Sequence, residues 1–381
     1  NINLSKKFTQ SNGAWTKLVV QLENWSDNYD NNVGDYKIDL TELYIEMGNV
    51  PMFTGAFKDA KIVAGKKKWD AQQVEILDYY YQDVKGTGLG LEGIRLWNGS
   101  LNLTYISNDF KDGELSNIEG KKAEDVRAYK AKYTHGDISG EVMYAHATDN
   151  DKIKKYKNNL ENWNRDAADD GFYAGLYYQP DNFFGLEGKG QHYLQYATGI
   201  LAGEGIGKIE TDANKRAAND AVTYQLGLGG TVRLGDRTHM LVSYRGLRAQ
   251  NIEARKTVSY WHDVDNPTNM SPYVGSWRAK DLETDALVLR PIYYINQNLD
   301  LWMEAGIARK DTESYSGTTE DHLLYKISAG PQLKYYVGNA ETSLRLFVTY
   351  IGDKTERREN GVTTKSTVED VLTGFQVSAW W

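Results

Sequence analysis

Hydrophobic and polar residues alternate along the C-terminal segment Val371–Trp381. One series is largely apolar and comprises Val371, Thr373, Phe375, Val377, Ala379 and Trp381. The intervening series is mixed and mostly small, and comprises Leu372, Gly374, Gln376, Ser378 and Trp380. A period of two predicts a β-strand whose faces meet different surroundings. A strand ending on two aromatic residues is typical of the last strand of an outer-membrane barrel, because aromatic girdles line both bilayer interfaces. In such a barrel Trp381 faces lipid and Trp380 faces the lumen.

From Leu89 onward, strand-like segments are joined by connections that alternate between short and long. Several short connections carry the residue pairs of tight turns, namely Asn98-Gly99, Gly235-Asp236 and Gly338-Asn339. The long connections are mostly polar and are Asp109–Lys122, Asp149–Asp170, Gly203–Asn219, Gln250–Lys280 and Asp353–Ser366. The predicted strands are Leu89–Trp97, Ser100–Ile106, Asp125–Thr134, Ile138–Ala147, Phe172–Gln179, His192–Thr198, Val222–Leu234, Thr238–Leu247, Thr284–Ile295, Leu299–Arg309, Leu323–Val337, Thr342–Ile351 and the terminal strand.

Short turns on one rim and long loops on the other predict an all-β, transmembrane antiparallel β-barrel that forms a single domain over residues 1–381. Upstream of Leu89, four further strands are predicted at Ile2–Phe8, Trp15–Trp25, Leu40–Asn49 and Ala60–Lys67. The sum is about seventeen, whereas bacterial single-chain barrels have even strand numbers with both termini on the short-turn rim. We therefore expect one more strand upstream and about 18 strands in the complete protein. If Ile2–Phe8 is not a strand, the alternative is about 16.

Composition agrees with a barrel and narrows the function classes. The chain has 381 residues, 40% of them hydrophobic, with 27 tyrosines and no cysteine. No run of about 18 apolar residues occurs, so the sequence predicts no transmembrane helix. The absence of cysteine excludes disulfides and thiolate metal sites. A formal net charge of -8 argues against a nucleic-acid partner.

The connection between the predicted strands Ala60–Lys67 and Leu89–Trp97 is unusually hydrophobic and aromatic for an extracellular loop. It holds Trp69, Val74, Ile76 and Leu77, followed by Tyr79–Tyr81. Loops that face water are normally polar. We therefore expect this connection to fold into the barrel and to narrow the pore. The alternative is plain packing, with Tyr79–Tyr81 filling space against the wall.

Several segments, in order along most of the chain, are similar to the maltoporins, which are sugar-specific porins of the outer membrane. The resemblance implies an 18-stranded homotrimer with a third loop folded into the lumen. It also implies an aromatic path along which sugar rings slide between polar groups. The matching segments are Val63–Lys66, Leu77–Tyr81, Gly88–Ile94, Gln195–Thr198, Arg290–Tyr293, Met303–Gly306, Tyr325–Ile327, Arg345–Tyr350 and Trp380-Trp381.

The resemblance assigns roles to particular positions. Trp380 matches the terminal aromatic residue of the sugar path, which agrees with the lumen side that alternation gives it. Tyr80 matches the third-loop tyrosine that narrows the channel, and Asp78 and Asp83 match carboxylates beside it. Lys67 takes the place of a basic residue near the start of that loop.

Alternation adds further pore-lining candidates. The apolar series Leu43, Ile45 and Met47 leaves Glu42, Tyr44 and Glu46 facing inward. Two arginines are also expected to face the lumen, because an arginine facing lipid at mid-bilayer costs about 2–4 kcal/mol. These are Arg290 and Arg345, and Glu304, inside the matched segment Met303–Gly306, completes the candidate set.

The chain also departs from the maltoporin pattern. Glu42 stands where the family has a constriction arginine, and Ala71 replaces another arginine of the third loop. Asp353 stands near the place of a tryptophan of the sugar path. These differences predict a more acidic throat and an incomplete aromatic path. They favour either an oligosaccharide other than a maltodextrin or a less selective pore.

Three weaker signals are set aside. The glycine pattern of Gly88–Gly93 lacks the strand-then-helix context of a dinucleotide site. The acidic stretch Asp27–Asn32 is interpreted as a solvated loop rather than a calcium site. His262, beside Asp263 and Asp265, is interpreted as a surface residue rather than a catalytic base. No catalytic residue, cofactor or metal is therefore predicted.

The sequence thus predicts a porin for passive diffusion of oligosaccharides in the outer membrane of a Gram-negative bacterium. Its expected partners are oligosaccharide solutes, outer-membrane lipid, lipopolysaccharide and two further copies of the chain in a homotrimer. The first alternative is a general diffusion porin with little sugar selectivity. The second, from a different class, is a barrel hydrolase.

Overall fold

One antiparallel sheet of 18 strands dominates the computed structural model and confirms the predicted fold class. One of the 18 is only two residues long, so the described residues contain 17 long strands in this sheet, the number predicted within this chain. The structure describes residues 2–25, 37–74, 79–108, 125–148, 168–209, 217–252, 258–262, 270–274, 280–314, 317–337 and 340–380. The strands are β1 (Ile2–Thr9), β2 (Trp15–Trp25), β3 (Lys37–Gly48), β4 (Lys61–Val74), β5 (Tyr79–Leu96), β6 (Gly99–Asn108), β7 (Asp125–His135), β8 (Ile138–Thr148), β9 (Asp170–Tyr178), β10 (Asn182–Phe183), β11 (Leu186–Thr198), β12 (Val222–Gly235), β13 (Thr238–Gln250), β14 (Val258–His262), β15 (Met270–Val274), β16 (Asp281–Asn296), β17 (Leu299–Glu313), β18 (Thr319–Val337), β19 (Ala340–Glu359) and β20 (Val362–Trp380).

Each long strand pairs with its neighbours in the chain, apart from two small interruptions. The two-residue strand β10 pairs only with β11, so that β9 also pairs with β11. Strands β14 and β15 form a separate two-stranded sheet inside the predicted loop Gln250–Lys280. No pairing joins the edge strands β1 and β20 within the described ranges. These two edges run in the same direction, and the expected additional upstream strand remains a prediction.

Alternation along the strands separates an outer from an inner face. On β9, Phe172 and Leu176 are exposed, whereas Tyr173 and Tyr177 are buried. The exposed apolar series forms the band that faces lipid in an outer-membrane barrel, and the other series faces the lumen. Because the side-chain period is two, the sequence pattern alone fixes which residues belong to which face. No helix in the described ranges is long and apolar enough to cross a membrane.

The prediction of a long loop at Asp353–Ser366 is wrong. Strand β19 continues to Glu359 and β20 begins at Val362, so only Asn360 and Gly361 lie between them. Both residues have positive φ, 50° and 78° respectively. Asn-Gly is the preferred pair for a two-residue hairpin turn of this kind. The charged residues around it therefore lie in a long hairpin, and the strict alternation of short and long connections fails here.

Two other predicted loops are more structured than expected. In Gly203–Asn219, Ile206, Ile209 and Ala218 are buried among the described residues, and a short 3-10 turn at Gly199–Leu201 precedes them. Strand β4 extends past Lys67 to Val74 and pairs with the start of β5. The described parts of the connection, residues 68–74 and 79–86, are here called the inner hairpin and are strand rather than loop. Register shifts at Lys68/Asp70 and Gln72/Gln73 bend it.

Candidate pore-lining site

The inner hairpin folds over the inner wall of the barrel, as predicted. Tyr81 is only 1% exposed and stacks on Tyr193 of β11, with ring centroids 4.3 Å apart and an interplanar angle of 6°. Its hydroxyl accepts a hydrogen bond from Gln191 Nε2 at 3.0 Å. Its main-chain oxygen accepts another from Gln195 Nε2 at 2.6 Å. Because β5 and β11 are not neighbours in the sheet, these contacts place the hairpin inside the lumen.

A buried ion network attaches the other side of the hairpin. Asp70 forms an ion pair with Lys130 and a second with Lys132, whose Nζ lies 2.8 Å from Asp70 Oδ1. Lys130 Nζ also lies 2.7 Å from Glu141 Oε2, and their side chains are 2% and 0% exposed. Glu141 Oε1 further accepts a hydrogen bond from the Tyr173 hydroxyl at 2.9 Å. Buried charges are costly unless paired, so this arrangement is stable only while the hairpin stays in place.

On the strands before the hairpin, Glu42 is buried and binds the chain where the hairpin begins. Its Oε1 accepts a hydrogen bond from the backbone N–H of Lys68 at 2.8 Å. The Lys68 ammonium forms an ion pair with Glu23 on β2 at 3.1 Å. Glu42 therefore positions the chain where the hairpin bends inward, a role that its carboxylate can fill as an acceptor and that a guanidinium could not.

Other carboxylates on β3 to β5 form ion pairs with lysines. Lys67 lies 2.9 Å from Glu92, and Lys61 lies 2.9 Å from Glu92 and 3.3 Å from Glu46. The Lys67 ammonium also lies 5.3 Å from the centre of the Tyr44 ring. The throat is consequently less acidic than its glutamates alone imply. Alternating carboxylates and ammonium groups offer both acceptors and donors to a hydroxyl-rich solute.

A second group of charged residues lies on β16 to β19. Arg290 Nε donates to Glu304 Oε2 at 2.7 Å, and Lys326 Nζ lies 2.5 Å from Glu304 Oε1. Glu304 is buried, whereas its neighbour Met303 on the same strand is exposed on the outer face. The inner wall of β16, β17 and β18 therefore carries a carboxylate held between two cations.

Arg345 lies on β19 beside this group. Its Nε and one terminal nitrogen donate to Gln332 Oε1 at 3.0 and 2.8 Å. Its guanidinium carbon lies 4.7 Å from the ring centre of Trp302, a cation–π arrangement that holds the guanidinium plane. Nearby, Asp300 is paired with Lys334 at 2.8 Å.

For the remaining candidate residues, the structure gives the position of the backbone alone, of an exposed pair, or of neither backbone nor side chain. Asp83 lies 3.5 Å from Lys85, in a partly exposed pair. The backbone of Tyr80 pairs with Gln73, and that of Trp380 pairs with Glu341, while both side chains lie outside the described part of the structure. The same holds for the side chain of His262, whose backbone lies in β14. Asp78, Trp381 and the stretch Asp27–Asn32 lie outside the described residues altogether.

Sequence reasoning missed the residues that attach the hairpin. Lys130 alternates with the exposed Tyr129, so its inward side could have been found from periodicity. Glu141 on the next strand alternates with the exposed Val142, so its inward side could have been found in the same way. Asp70 could not be assigned as a partner, because it lies 60 residues away in sequence. Trp302 was also missed, although Leu301 and Met303 beside it form the outer series.

Comparison with known proteins gives a family match over the whole chain. A family model described as LamB porin matches residues 1–381. The maltoporin of Vibrio cholerae serotype O1 is 25% identical over 335 residues, which covers 85% of this chain and 73% of that protein. Maltoporin 1 of Aeromonas salmonicida (strain A449) is 25% identical over 347 residues, covering 86% of this chain and 70% of that protein.

Among solved structures, the anion-selective porin from Comamonas acidovorans covers 99% of this chain and 88% of its own, with 12% identity and a TM-score of 0.43. OmpT of Vibrio cholerae covers 99% of this chain and 94% of its own, with 12% identity and a TM-score of 0.34.

Proposed function

Because the chain belongs to the LamB porin family, we propose that it carries oligosaccharides across the outer membrane by facilitated passive diffusion through its lumen. Family membership makes it a porin of the Gram-negative outer membrane, a channel rather than an enzyme. The sugar selectivity is our proposal. The observation that carries it is the inner hairpin attached across the lumen by Tyr81, which brings polar groups from several strands close to any passing solute.

The chemistry of sugars fits such a lumen. A pyranose ring has apolar C–H faces and a rim of hydroxyl groups. An aromatic side chain can contact the face, while carboxylates, ammonium groups and guanidinium groups exchange hydrogen bonds with the rim. Many weak successive contacts let a solute enter and still leave, which conduction requires.

We assign the contacts to groups of the candidate residues. Lys67, Glu46 and Tyr44 line the wall before the hairpin, and Glu42 supports the hairpin itself. Tyr80, Asp78 and Asp83 are proposed as contacts from the connection between β4 and β5. Arg290, Glu304 and Arg345 line the wall at β16 to β19. Trp380 is proposed as the aromatic contact on β20.

We also propose a homotrimer that contacts lipid and lipopolysaccharide on its outer face. An apolar groove on that face supports a hydrophobic neighbour, because contiguous exposed apolar surface marks lipid or protein contacts. Its lining includes Phe53, Leu89, Leu103, Tyr129 and Phe172. The molecular mass of the detergent-solubilised protein tests the trimer, and the mass of a single chain would contradict it.

Replacing Trp380 by Ala tests the proposed sugar path. We expect weaker block of ion current by neutral oligosaccharides in planar bilayers, because the terminal aromatic contact is lost. Ion conductance without sugar should stay nearly unchanged or rise, because a smaller side chain obstructs the lumen less. Unchanged sugar block would remove Trp380 from the path. A wild-type pore that no oligosaccharide blocks would favour the general diffusion porin.

A further inference from the structure

The charged group on β16 to β18 has more cations than anions. Glu304 accepts from Arg290 at 2.7 Å and from Lys326 at 2.5 Å, so one carboxylate serves two cationic side chains. A neighbouring carboxylate on the same strand as Glu304, Asp300, already has its own partner in Lys334 at 2.8 Å. One positive charge of the Arg290–Glu304–Lys326 group is therefore left without a compensating carboxylate.

Arg345 adds a second uncompensated charge. Its nitrogens donate to the neutral side-chain oxygen of Gln332, and its guanidinium lies over Trp302. Within the described ranges, no Asp or Glu side chain forms an ion pair with Arg345. An arginine whose plane is fixed by an aromatic ring and an amide keeps its remaining donors oriented toward the lumen.

These residues are accessible from inside the barrel. Their strands present Leu289, Met303, Ile327 and Leu346 on the exposed outer face, so the alternate positions face inward. The Lys326 side chain is 41% exposed even though it contacts Glu304. A solute moving along the wall can therefore reach the Lys326 side chain.

The wall before the hairpin is different. There Lys61 forms ion pairs with both Glu46 and Glu92. Lys67 pairs with Glu92, and Lys68 pairs with Glu23. Each of those lysines has a carboxylate partner. The cation surplus at β16 to β19 is thus a local property of that wall and does not follow from the chain's overall charge of -8.

We propose that Arg345 and Lys326, supported by Arg290 and Trp302, bind the carboxylate of an acidic sugar, so that the pore prefers anionic oligosaccharides to neutral ones of equal length. This inference rests on the proposed function, because it concerns solutes that pass through the same lumen. Guanidinium and ammonium groups are the donors that match a carboxylate, and charge-assisted hydrogen bonds are the stronger kind. Glu304 limits the attraction, so that a bound sugar acid can leave again.

The test compares trigalacturonate with maltotriose as blockers of ion current through the purified full chain in planar bilayers. We expect trigalacturonate to reach half-block at a concentration about tenfold lower, which corresponds to about 1.4 kcal/mol. Raising the salt concentration should reduce this preference, because mobile ions screen the charges. Equal block by the two sugars would overturn the inference and leave the proposed function intact. No block by either sugar would contradict the proposed function itself.

Three variants locate the effect. Arg345→Gln and Lys326→Gln each remove one charge of the patch and should each reduce the preference several-fold. Lys365→Gln makes the same charge change at an exposed residue paired with Glu356 and should keep the preference. Sugar-free conductance shows which variants form pores, and either patch variant alone suffices. A preference retained in a pore-forming patch variant, or lost equally in Lys365→Gln, would overturn the assignment.

Discussion

Tyr193 shows how single residues set the position of the inner hairpin. Its ring stacks on Tyr81 from one side and lies over Gly227 of β12 on the other, where an added Cβ would come within 2.0 Å of the Tyr193 ring. The stack therefore depends on the absence of a side chain at position 227. Close approach of a ring to backbone is one reason for glycine in a strand interior.

Gly227→Ala should displace Tyr193 and loosen its stack on Tyr81. We expect a larger or more fluctuating single-channel conductance, because the hairpin loses a buried aromatic contact worth about 0.5–1.5 kcal/mol beyond its buried area. Gly140→Ala on β8 is the matched control, since the nearest atom to an added Cβ there lies at 4.0 Å. Conductance that is identical in both variants would contradict the role given to Tyr193.

For single residues, the sequence predicts which face of a strand a side chain occupies better than it predicts the side chain's ion-pair partners. Alternation gives an inward side for Arg290 and Arg345, and the structure places both opposite the exposed apolar series. It could not give Glu304 as the shared partner of Arg290 and Lys326, because such pairs depend on register and side-chain reach. The compensation of Glu46 by Lys61 was missed for the same reason.

At the scale of elements, a buried ion network attaches the inner hairpin to the inner wall of the barrel. Its buried attachment consists of Asp70, Lys130 and Glu141, with Lys132 at the margin. Breaking a buried ion pair by removing one partner costs about 3–5 kcal/mol, because the other charge is left buried. The attachment should therefore behave as one unit.

Lys130→Met should release the hairpin from the wall. Within the described residues, Asp70 then keeps Lys132 as its one cationic partner, and Glu141 loses its ammonium partner. The position of the hairpin against the wall is therefore strongly disfavoured. We expect higher and noisier conductance and weaker block by maltotriose in planar bilayers. Lys365→Gln is the control, because its pair with Glu356 on β19 is exposed and such pairs contribute only about 0–1 kcal/mol. A Lys130→Met pore with wild-type conductance and block would show that the network does not hold the hairpin.

The hairpin also shows which features of secondary structure the sequence does not predict. Its aromatic composition correctly indicated a segment that leaves the water-exposed rim, but its extension of β4 and β5 was not predicted. The register shifts that bend it have no residue signature comparable to Asn-Gly. By contrast, the turn at Asn360-Gly361 carries that signature and could have been read from the sequence.

At the scale of the whole molecule, alternation and turn chemistry were sufficient to predict the barrel. In a strand that faces lipid on one side, apolar residues recur at every second position, and this pattern is present even where the loops differ. Selectivity has no such repeat, because it depends on side chains from distant strands that meet only after the sheet curls. This is why the sequence predicts a porin readily and the preferred solute only by resemblance.

Sugar selectivity of the whole pore is tested by the swelling of proteoliposomes in isotonic solutions of glucose, maltose, maltotriose and longer oligosaccharides. We expect disaccharides and trisaccharides to enter faster than their size alone allows, relative to non-sugar solutes of matched size. Lys130→Met should lose this advantage, since an open lumen passes solutes by size. Entry rates of the wild-type protein that fall with solute size alone would contradict a sugar-selective channel.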